Sequence, residues 1–596
     1  MKFKDLSIYL QKLENTQSRN DMILILSELF EKVPTEDIGK VMYLLQGRVA
    51  PLYVNLEFGM ADKMILKAIS KAYEIDEKDV NSEFKKIGDL GELAEKLAEK
   101  YKKSDGSPSI SQVFGELESL AKSGGKGSVD VKIDTMSCLL KSLDSLSSRY
   151  VVRIPVAKLR LGFSDMTVLD SLSWMLANDK SLRTEIERAY NIRPDLGHIA
   201  TVIKREGIKG LSKVLPAVFT PILMAKAERL SSGDEIVEKI GECAIEPKFD
   251  GFRLQAHLKR LKTENGKLET RVKLFTRNLE EVTFMYPDVE KGIISQIDAK
   301  EAILEGEAIA FNPATDEYLP FQLTSQRKRK YDIEETAKKI PLKYMVFELL
   351  YLEGKNMIPE PYTKRRENLS KIIKKGATVY LSEETVMSDG KKVESYFDDA
   401  IARGLEGILA KKLDGTYQAG ARGWSWIKLK RSYSSKLDDT IDCVVMGYYV
   451  GMGKRTSFGL GAFLIGVYDN KNDKYLTIAK IGTGLTDVEW KELFKRSEKI
   501  KTKEKPALYD VDKMLEPDVW VKPEIVVEIR ADELTRSSNH TVGRILKPSK
   551  SGTAFDVDVQ GYALRFPRLE KFRDDKVPTD ATTLTEIEEM FKLQKK

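Results

Sequence analysis

One short stretch of the chain places a nucleophile among carboxylates. It reads Glu246-Pro-Lys248-Phe-Asp250-Gly251-Phe-Arg253. If the stretch is a strand, Glu246, Lys248 and Asp250 point to one face, because side chains alternate along a strand. A lysine attacks as the neutral amine, which burial or neighbouring cations favour by lowering its pKa. Taken alone, the stretch is more typical of an exposed strand that carries a salt-bridged lysine.

Further segments carry the residue types that nucleotide chemistry needs: arginines, carboxylates, an aromatic residue in an apolar run, and paired lysines. They are Leu274-Phe-Thr-Arg277-Asn278, Leu304-Glu305-Gly306-Glu307, Phe347-Glu-Leu-Leu-Tyr351-Leu-Glu-Gly354, Glu406-Gly407-Ile-Leu-Ala-Lys411, Trp426-Ile-Lys428-Leu-Lys430, Arg565-Phe-Pro-Arg568 and Arg573-Asp-Asp575-Lys576. Together with KxDGxR at Lys248, these segments and their order resemble the ATP-dependent DNA ligases of the nucleotidyltransferase superfamily. The resemblance spans residues 245 to 577.

The resemblance implies a three-step reaction with ATP as cofactor. Lys248 attacks the α-phosphate and releases pyrophosphate, the AMP passes to the 5′-phosphate of a nick in duplex DNA, and the 3′-hydroxyl displaces the AMP. Each step is an in-line displacement at phosphorus, so the protein chiefly positions groups and neutralises charge. Such an enzyme seals nicks in DNA replication, repair and recombination.

Magnesium is the expected counter-charge, since phosphate oxygens and carboxylates are hard ligands. Glu307 and Glu406 are the leading candidate ligands, Asp250 is a weaker one, and Glu305 could assist from the strand face of Glu307. The family's glutamate at the Glu307 position also contacts the ribose, and the sequence does not separate the two roles. Manganese stays open as an alternative metal. Outside such a motif set, each carboxylate would more simply pair with a surface lysine.

Adenine needs an apolar slot with a stacking ring and a polar contact at its edge. By resemblance Phe347 stacks on the base, and Glu246 contacts the base edge at least partly through its backbone. The alternative for Phe347 is an ordinary core residue of an apolar strand.

The resemblance further implies roles for the basic residues of the other segments. It implies ribose or phosphate contacts by Arg253, Arg277 and Arg422, α-phosphate contacts by Lys428 and Lys430, and orientation of the leaving pyrophosphate by Arg573 and Lys576.

The elements that must position these residues fall into three regions. Residues 1–215 show apolar residues at helical spacing. From about residue 245 short strands alternate with turns and helices, and beyond residue 431 β-rich segments with Gly or Asn turns indicate a small barrel. We therefore expect a multidomain α+β protein with an all-helical N-terminal DNA-binding domain (1–215), an α+β nucleotidyltransferase (adenylation) domain (216–430) and a C-terminal OB-fold β-barrel (431–596).

Bulk properties agree with this division and exclude several classes of protein. The 596 residues are too many for one hydrophobic core. The net charge of +6, from 98 basic and 92 acidic residues, permits nucleic-acid binding. There is no apolar run of about 18 residues, so we expect no membrane association and a soluble intracellular protein, cytoplasmic or nucleoid-associated. High Lys, Arg and Glu content with few Cys and His is compatible with a thermophile.

The expected partner is nicked double-stranded DNA, gripped by residues 1–215 across the minor groove without base reading. Cations come from KREGIKGLSK (204–213), from the family-like segment Lys158-Leu-Arg160-Leu-Gly162-Phe, and from SQRKRK (325–330). A sliding clamp is a further candidate partner, but its docking site is unassigned, since Gln112-Val-Phe114 lacks an aromatic pair. Nothing requires more than a monomer.

Three other classes share part of this pattern. An NAD-dependent ligase would need an extra N-terminal domain and usually a four-cysteine zinc module, whereas Cys138, Cys243 and Cys443 lie far apart. RNA ligases and capping enzymes share the lysine chemistry but are usually shorter and lack a long helical N-terminal domain. A non-catalytic DNA clamp would be expected to lose Lys248 or Lys428, and both are present.

Overall fold

The computed structural model describes residues 1–101, 106–159, 161–262, 265, 268–319, 321–329, 331–430, 440–451, 459–482, 485–548 and 555–594. The chain divides into two compact units, Met1–Leu429 and Lys430–Lys596. In the described ranges, no helix is both long and apolar enough to cross a membrane.

The N-terminal part of the first unit is helical, as the apolar spacing predicts. Each helix turns an apolar face inward, as at Ile65 and Ile69, and these faces form one continuous hydrophobic core. The helices are α1 (Phe3–Glu14), α2 (Arg19–Lys32), α3 (Thr35–Leu45), α4 (Asp62–Tyr73), α5 (Glu77–Ile87), α6 (Leu90–Tyr101), α7 (Ile110–Lys122), α8 (Ser128–Ser142), α9 (Ser145–Arg153), α10 (Asp165–Ala177), α11 (Arg183–Ile192) and α12 (Leu196–Glu206).

Two sheets with flanking helices follow in the same unit. The strands are β1 (Lys226–Arg229), β2 (Cys243–Lys248), β3 (Phe252–Lys262), β4 (Leu268–Thr276), β5 (Glu301–Ala310), β6 (Leu342–Leu352), β7 (Lys355–Asn356), β8 (Val379–Leu381), β9 (Thr385–Met387), β10 (Gly407–Lys412) and β11 (Arg422–Lys430). The helices are α13 (Gly233–Ile240), α14 (Pro287–Gln296), α15 (Phe321–Thr324), α16 (Ile333–Lys339), α17 (Tyr362–Ile372) and α18 (Gly390–Ala402).

The order of strands in these sheets brings distant segments side by side. One sheet has the order β1-β11-β10-β2-β9, and the other has the order β4-β3-β5-β6-β7, with β8 beside β6. Gly251 makes the turn from β2 to β3, and a Cβ there would lie 2.3 Å from the carbonyl oxygen of Ala308 on β5. Glycine is therefore required where the chain leaves the Lys248 strand, because any side chain would push β5 away.

The second unit is rich in strands, as its β-rich segments predict. The elements are β12 (Ile441–Val450), β13 (Leu460–Asp469), β14 (Lys474–Ile481), α19 (Asp487–Lys499), β15 (Lys501–Thr502), β16 (Tyr509–Asp510), β17 (Val519–Val521), β18 (Val526–Arg530), β19 (Glu533–Ser537), β20 (Ile545–Pro548), β21 (Phe555–Val559), β22 (Gly561–Arg565), β23 (Arg568–Phe572) and α20 (Leu584–Gln594). The largest sheet of this unit runs in the order β15-β17-β12-β13-β14-β16, with β18 between β12 and β23. A separate hydrophobic core includes residues of β12, β13 and β18.

Candidate active site

Lys248 is the last residue of β2, and its ammonium group contacts the carboxylate of Glu406. The backbone makes this contact possible, because Gly407 of β10 pairs with Lys248 and the Glu406 amide donates to the Lys248 carbonyl oxygen at 3.0 Å. The two side chains are 27% and 16% exposed. The pair is thus fixed by strand pairing yet remains accessible to a ligand from solvent.

The strand does not hold all three polar residues that the sequence places on one face. Because β2 ends at Lys248, Asp250 lies in the bend before β3. Glu246 is buried and accepts hydrogen bonds from Lys411 and Tyr362. The lysine is therefore paired with a carboxylate 158 residues away in sequence, not held between its two sequence neighbours.

Glu307 lies on β5 and pairs across the sheet with Arg253 of β3. Burial raises the pKa of its carboxyl group to about 7; Lys248 and Arg253 oppose this rise, while Glu406 and Asp250 reinforce it. These electrostatic interactions place five groups in one neighbourhood. We refer to Lys248, Asp250, Arg253, Glu307 and Glu406 as the Lys248 cluster.

Arg253 links this cluster to an aromatic wall. Its Nη2 donates to Glu305 Oε2 at 2.7 Å, and its guanidinium lies 5.6 Å from the Phe347 ring centroid and 5.3 Å from that of Trp426. The side chain of Glu305 is fully buried and also accepts from Gln255 at 3.0 Å. Glu305 therefore orients the arginine, and its assistance at a metal site stays a prediction from the sequence.

Phe347 and Glu246, the residues expected at the base, are joined by a buried lysine. Lys411 donates to Glu246 Oε1 at 2.9 Å and to the carbonyl oxygen of Phe347 at 2.7 Å, and its side chain is fully buried. Phe347 packs edge-on against Trp426, with ring centroids 6.1 Å apart. Burial raises the pKa of Glu246, and the ammonium of Lys411 opposes that rise. The Phe347 side chain is 8% exposed, which also agrees with a core residue.

The segment that leads into β1, residues 219–225, is bound to the same strand as Arg253; we call it the connecting segment. Arg253 Nη1 donates to the Ala225 carbonyl oxygen at 2.7 Å. Gln255 accepts from the Ile222 amide at 2.7 Å and donates to its carbonyl oxygen at 3.0 Å. Burial lowers the pKa of His257 to about 3, so the neutral ring can accept the Phe219 amide at 2.9 Å.

The donor set of the Lys248 cluster fits a magnesium ion that shares its shell with phosphates. No group of three His, Cys, Asp or Glu side chains within the described ranges is arranged to hold a metal by itself. Mg²⁺ usually keeps several waters and takes only one or two carboxylates together with phosphate oxygens. Glu307 and Glu406 could supply such a pair beside Lys248.

The expected phosphate-contacting and ribose-contacting residues of β4 and β11 and the turns beside them occupy different positions. Lys428 and Lys430 alternate along β11, so they share a strand face as expected, and β11 lies next to β10. Arg422 begins β11, and Arg277 lies in the turn after β4; both are exposed. In the described part of the chain, neither arginine has a recorded contact with the Lys248 cluster.

Arg573 and Lys576 lie in the second unit, in the turn that follows the end of β23 at Phe572. Arg573 contacts Asp442, Glu528 and Asp575, and Lys576 contacts Asp442. Both cations are therefore held by carboxylates of their own unit.

Two of the segments considered for DNA or clamp binding, SQRKRK (325–330) and Gln112-Val-Phe114, contain buried residues. Arg327 of SQRKRK is buried and forms an ion pair with Asp288 at 2.7 Å, so this cation does not belong to an exposed basic patch. Arg160 and Lys330 lie outside the described residues. Gln112 caps the start of α7 through Ser109, and the adjacent Val113 is fully buried.

Sequence reasoning missed the buried partners Lys411, Tyr362, Gln255 and His257 as members of the site. The visible signal was a polar residue inside an otherwise apolar strand, as in Gly-Ile-Leu-Ala-Lys411 and Leu-Gln255-Ala-His257-Leu. A buried polar group needs a partner, so such residues mark a network.

Comparisons with known proteins cover nearly the whole chain. Residues 2–173 match the family model "DNA ligase N terminus", residues 224–430 match "ATP dependent DNA ligase domain", and residues 456–576 match "ATP dependent DNA ligase C terminal region". A "Probable DNA ligase" of Dictyoglomus thermophilum is 45% identical over 598 residues, covering 100% of this chain and 98% of the relative.

More distant relatives agree with these matches. A "DNA ligase" of Sulfurisphaera tokodaii is 37% identical over 608 residues, covering 100% of this chain and 98% of the relative. A solved structure named Pmar-Lig_PreS3 is 18% identical with a TM-score of 0.52, covers 95% of this chain and 99% of its own, and supports the fold alone. On the three family matches and the full-length relatives, this chain belongs to the ATP-dependent DNA ligases.

Proposed function

We propose that this ATP-dependent DNA ligase carries its covalent adenylate on Lys248, within the Lys248 cluster. The observation that carries the proposal is the contact between Lys248 and Glu406, with Glu307 beside them, at a position open to solvent. The enzyme seals nicks in duplex DNA at the expense of ATP, and roles in replication, repair and recombination are typical of its family.

Each residue of the cluster has a distinct proposed role. The Lys248–Glu406 contact must open before the amine can reach the α-phosphate. Glu307 and Glu406, with Asp250 as a weaker candidate, would hold Mg²⁺ or Mn²⁺, which neutralises phosphate charge when bound. Arg253 is fixed by two acceptors, so its position beside Phe347 suits a contact to the ribose.

Phe347 and Glu246 are proposed to form the base pocket, with the buried cation Lys411 joining them. Arg277 and Arg422 are proposed as ribose or phosphate contacts, and Lys428 and Lys430 as α-phosphate contacts. The shared strand face of the two lysines supports a joint role, since two cations can then meet one anion.

At the level of domains, we propose the boundaries 1–215, 216–430 and 431–596, with the last domain an OB-fold barrel. The strand-rich second unit and the family match at 456–576 support this proposal. Arg573 and Lys576 would orient the pyrophosphate in the first step. We further propose that the ligase acts as a monomer; a sliding clamp stays a candidate partner with no assigned site.

Labelling tests the central proposal. The enzyme is incubated with α-labelled ATP and magnesium, then chased with nicked DNA or nicked RNA. We expect a labelled protein that discharges onto nicked DNA, and no label on Lys248→Ala. Lys259→Ala, which removes a lysine of β3 paired with Glu301, is the matched control and should label normally. Label that survives Lys248→Ala would overturn the proposal.

A further inference from the structure

Asp442 holds both pyrophosphate-orienting cations of the second unit on one carboxylate. Arg573 Nη1 lies 3.1 Å from its Oδ1 and 3.3 Å from its Oδ2. Lys576 Nζ lies 2.5 Å from the same Oδ2. A single oxygen therefore contacts a guanidinium and an ammonium that would otherwise repel each other.

The aspartate is itself fixed by the sheet. Its amide donates to Thr582 Oγ1 at 3.0 Å, and its carbonyl oxygen accepts the Thr582 amide at 2.9 Å. On the neighbouring strand β18 it pairs with Glu528, whose Oε2 accepts from Arg573 at 3.0 Å. Asp442 thus offers a rigid acceptor, whereas the two cations have long side chains.

The cations are placed by backbone as well as by charge. The Arg573 amide donates to the Val526 carbonyl oxygen at 2.9 Å, and the Lys576 amide donates to that of Arg573 at 3.2 Å. This turn brings the two side chains to the same side, where Asp442 is 13% exposed and Lys576 is 30% exposed. A ligand can therefore reach the ammonium without dismantling the sheet.

We propose that Asp442 is a positioning residue for the first step, which holds Arg573 and Lys576 paired so that together they meet the leaving pyrophosphate. The inference rests on the proposed role of those two cations. Cations that are already in place need no reorganisation as charge develops on the leaving group. Pyrophosphate takes part only in adenylation and its reversal, so the effect of Asp442 should be confined to those reactions.

The experiment compares reaction steps in the full-length enzyme. Asp442→Asn keeps the size of the side chain and removes its charge. Single-turnover adenylation with α-labelled ATP, discharge of the enzyme adenylate by pyrophosphate, and sealing of a pre-adenylated nick are measured separately. Asp512→Asn, which removes a carboxylate paired with Arg544 in the same unit, is the matched control. Arg573→Ala and Lys576→Ala test whether the two cations contribute to adenylation.

We expect Asp442→Asn to slow adenylation and pyrophosphate discharge about tenfold or more, while sealing of the pre-adenylated nick stays within about twofold of the wild type. Equal losses in all steps would overturn the inference in favour of a merely structural role. Adenylation that is unchanged or faster would overturn it as well. If Arg573→Ala and Lys576→Ala leave adenylation intact, the proposed role of the cations fails, which is a separate result.

Discussion

The ammonium of Lys248 contacts the carboxylate of Glu406, and the amide of Glu406, the residue just before β10, donates to the carbonyl oxygen of Lys248 at the end of β2. The proposed nucleophile and its acidic partner are therefore brought together by the pairing of strands that lie far apart in sequence. Because Glu406 is also a candidate metal ligand, the same carboxylate can pair with the Lys248 ammonium or contact a metal ion.

Removing that charge should impair the first step. We expect Glu406→Gln to slow adenylation by about 100-fold, since a preorganised charge near the reacting phosphate is lost. Glu242→Gln, which alters an exposed glutamate just before β2, is the control and should react as the wild type does. Single-turnover labelling with α-labelled ATP measures both, and a wild-type rate for Glu406→Gln would contradict a role for this carboxylate.

The raised pKa of Glu307 predicts a pH-dependent stability. Its folded-state value of about 7 lies above the ordinary value of 4.5, so ionisation costs the folded state. The stabilising contribution is full below about pH 4.5 and is lost as pH rises through about 7. With allowance for partial solvent exposure, the loss is about 1–2 kcal/mol.

Glu307→Gln removes this titration. We expect the Tm of Glu307→Gln minus the Tm of the wild type to be roughly 2–4 °C larger at pH 8 than at pH 5. Scanning calorimetry in the presence of a chelator measures the two proteins at both pH values. A difference in Tm that is the same at pH 5 and pH 8 would show that Glu307 does not titrate in this range.

Gln255 should couple the connecting segment to nucleotide binding. Gln255→Leu leaves the Ile222 peptide without its partner and removes one of the donors to Glu305, at a cost of roughly 2–4 kcal/mol in the free energy of unfolding. Because Glu305 also orients Arg253, we expect the KM for ATP in adenylation to rise about tenfold, or 1.4 kcal/mol.

The matched control is Gln296→Leu, since Gln296 is buried and bonds to the backbone around Val379 in a comparable way. It should lose similar stability and keep the wild-type KM. Equal increases in KM for the two variants would attribute the effect to general loosening of the unit.

Lys411 and Glu246 should be energetically coupled. Either Lys411→Met or Glu246→Gln alone leaves a buried charge without its partner and should destabilise the first unit by about 3–5 kcal/mol. The double variant should lose at least 1 kcal/mol less of the free energy of unfolding than the two single variants lose together. Calorimetry of the four proteins completes the cycle. The exposed pair Lys371–Glu367 is the control, and its coupling energy should be about 0.5 kcal/mol or less. Additive costs for the Lys411 and Glu246 substitutions would refute the coupling.

The parts of the site that lie in contiguous motifs could be predicted from sequence, and the cross-strand partners could not. Lys248, Glu307 and Glu406 stand in short segments whose order is itself informative. The pairing of Glu246 with Lys411 depends on the register of β2 against β10, which no local pattern specifies.

The burial of individual charged side chains is the second property that could not be predicted from the sequence. In SQRKRK the four cations look equivalent, yet Arg327 is buried against Asp288. Strand ends posed a similar difficulty, because two further residues of strand would have placed Asp250 on the same face as Lys248. Alternation predicts faces correctly only where the strand continues.

The connecting segment has a practical consequence for cutting this enzyme into parts. A catalytic fragment that begins at residue 224, where the family match begins, would lack Phe219 and Ile222, so that His257 and Gln255 would lose their hydrogen bonds to the connecting segment. A fragment that begins a few residues before Phe219 would retain them. The smallest useful catalytic fragment should therefore be defined by these hydrogen bonds, and a helical domain borrowed from a relative should be joined upstream of them.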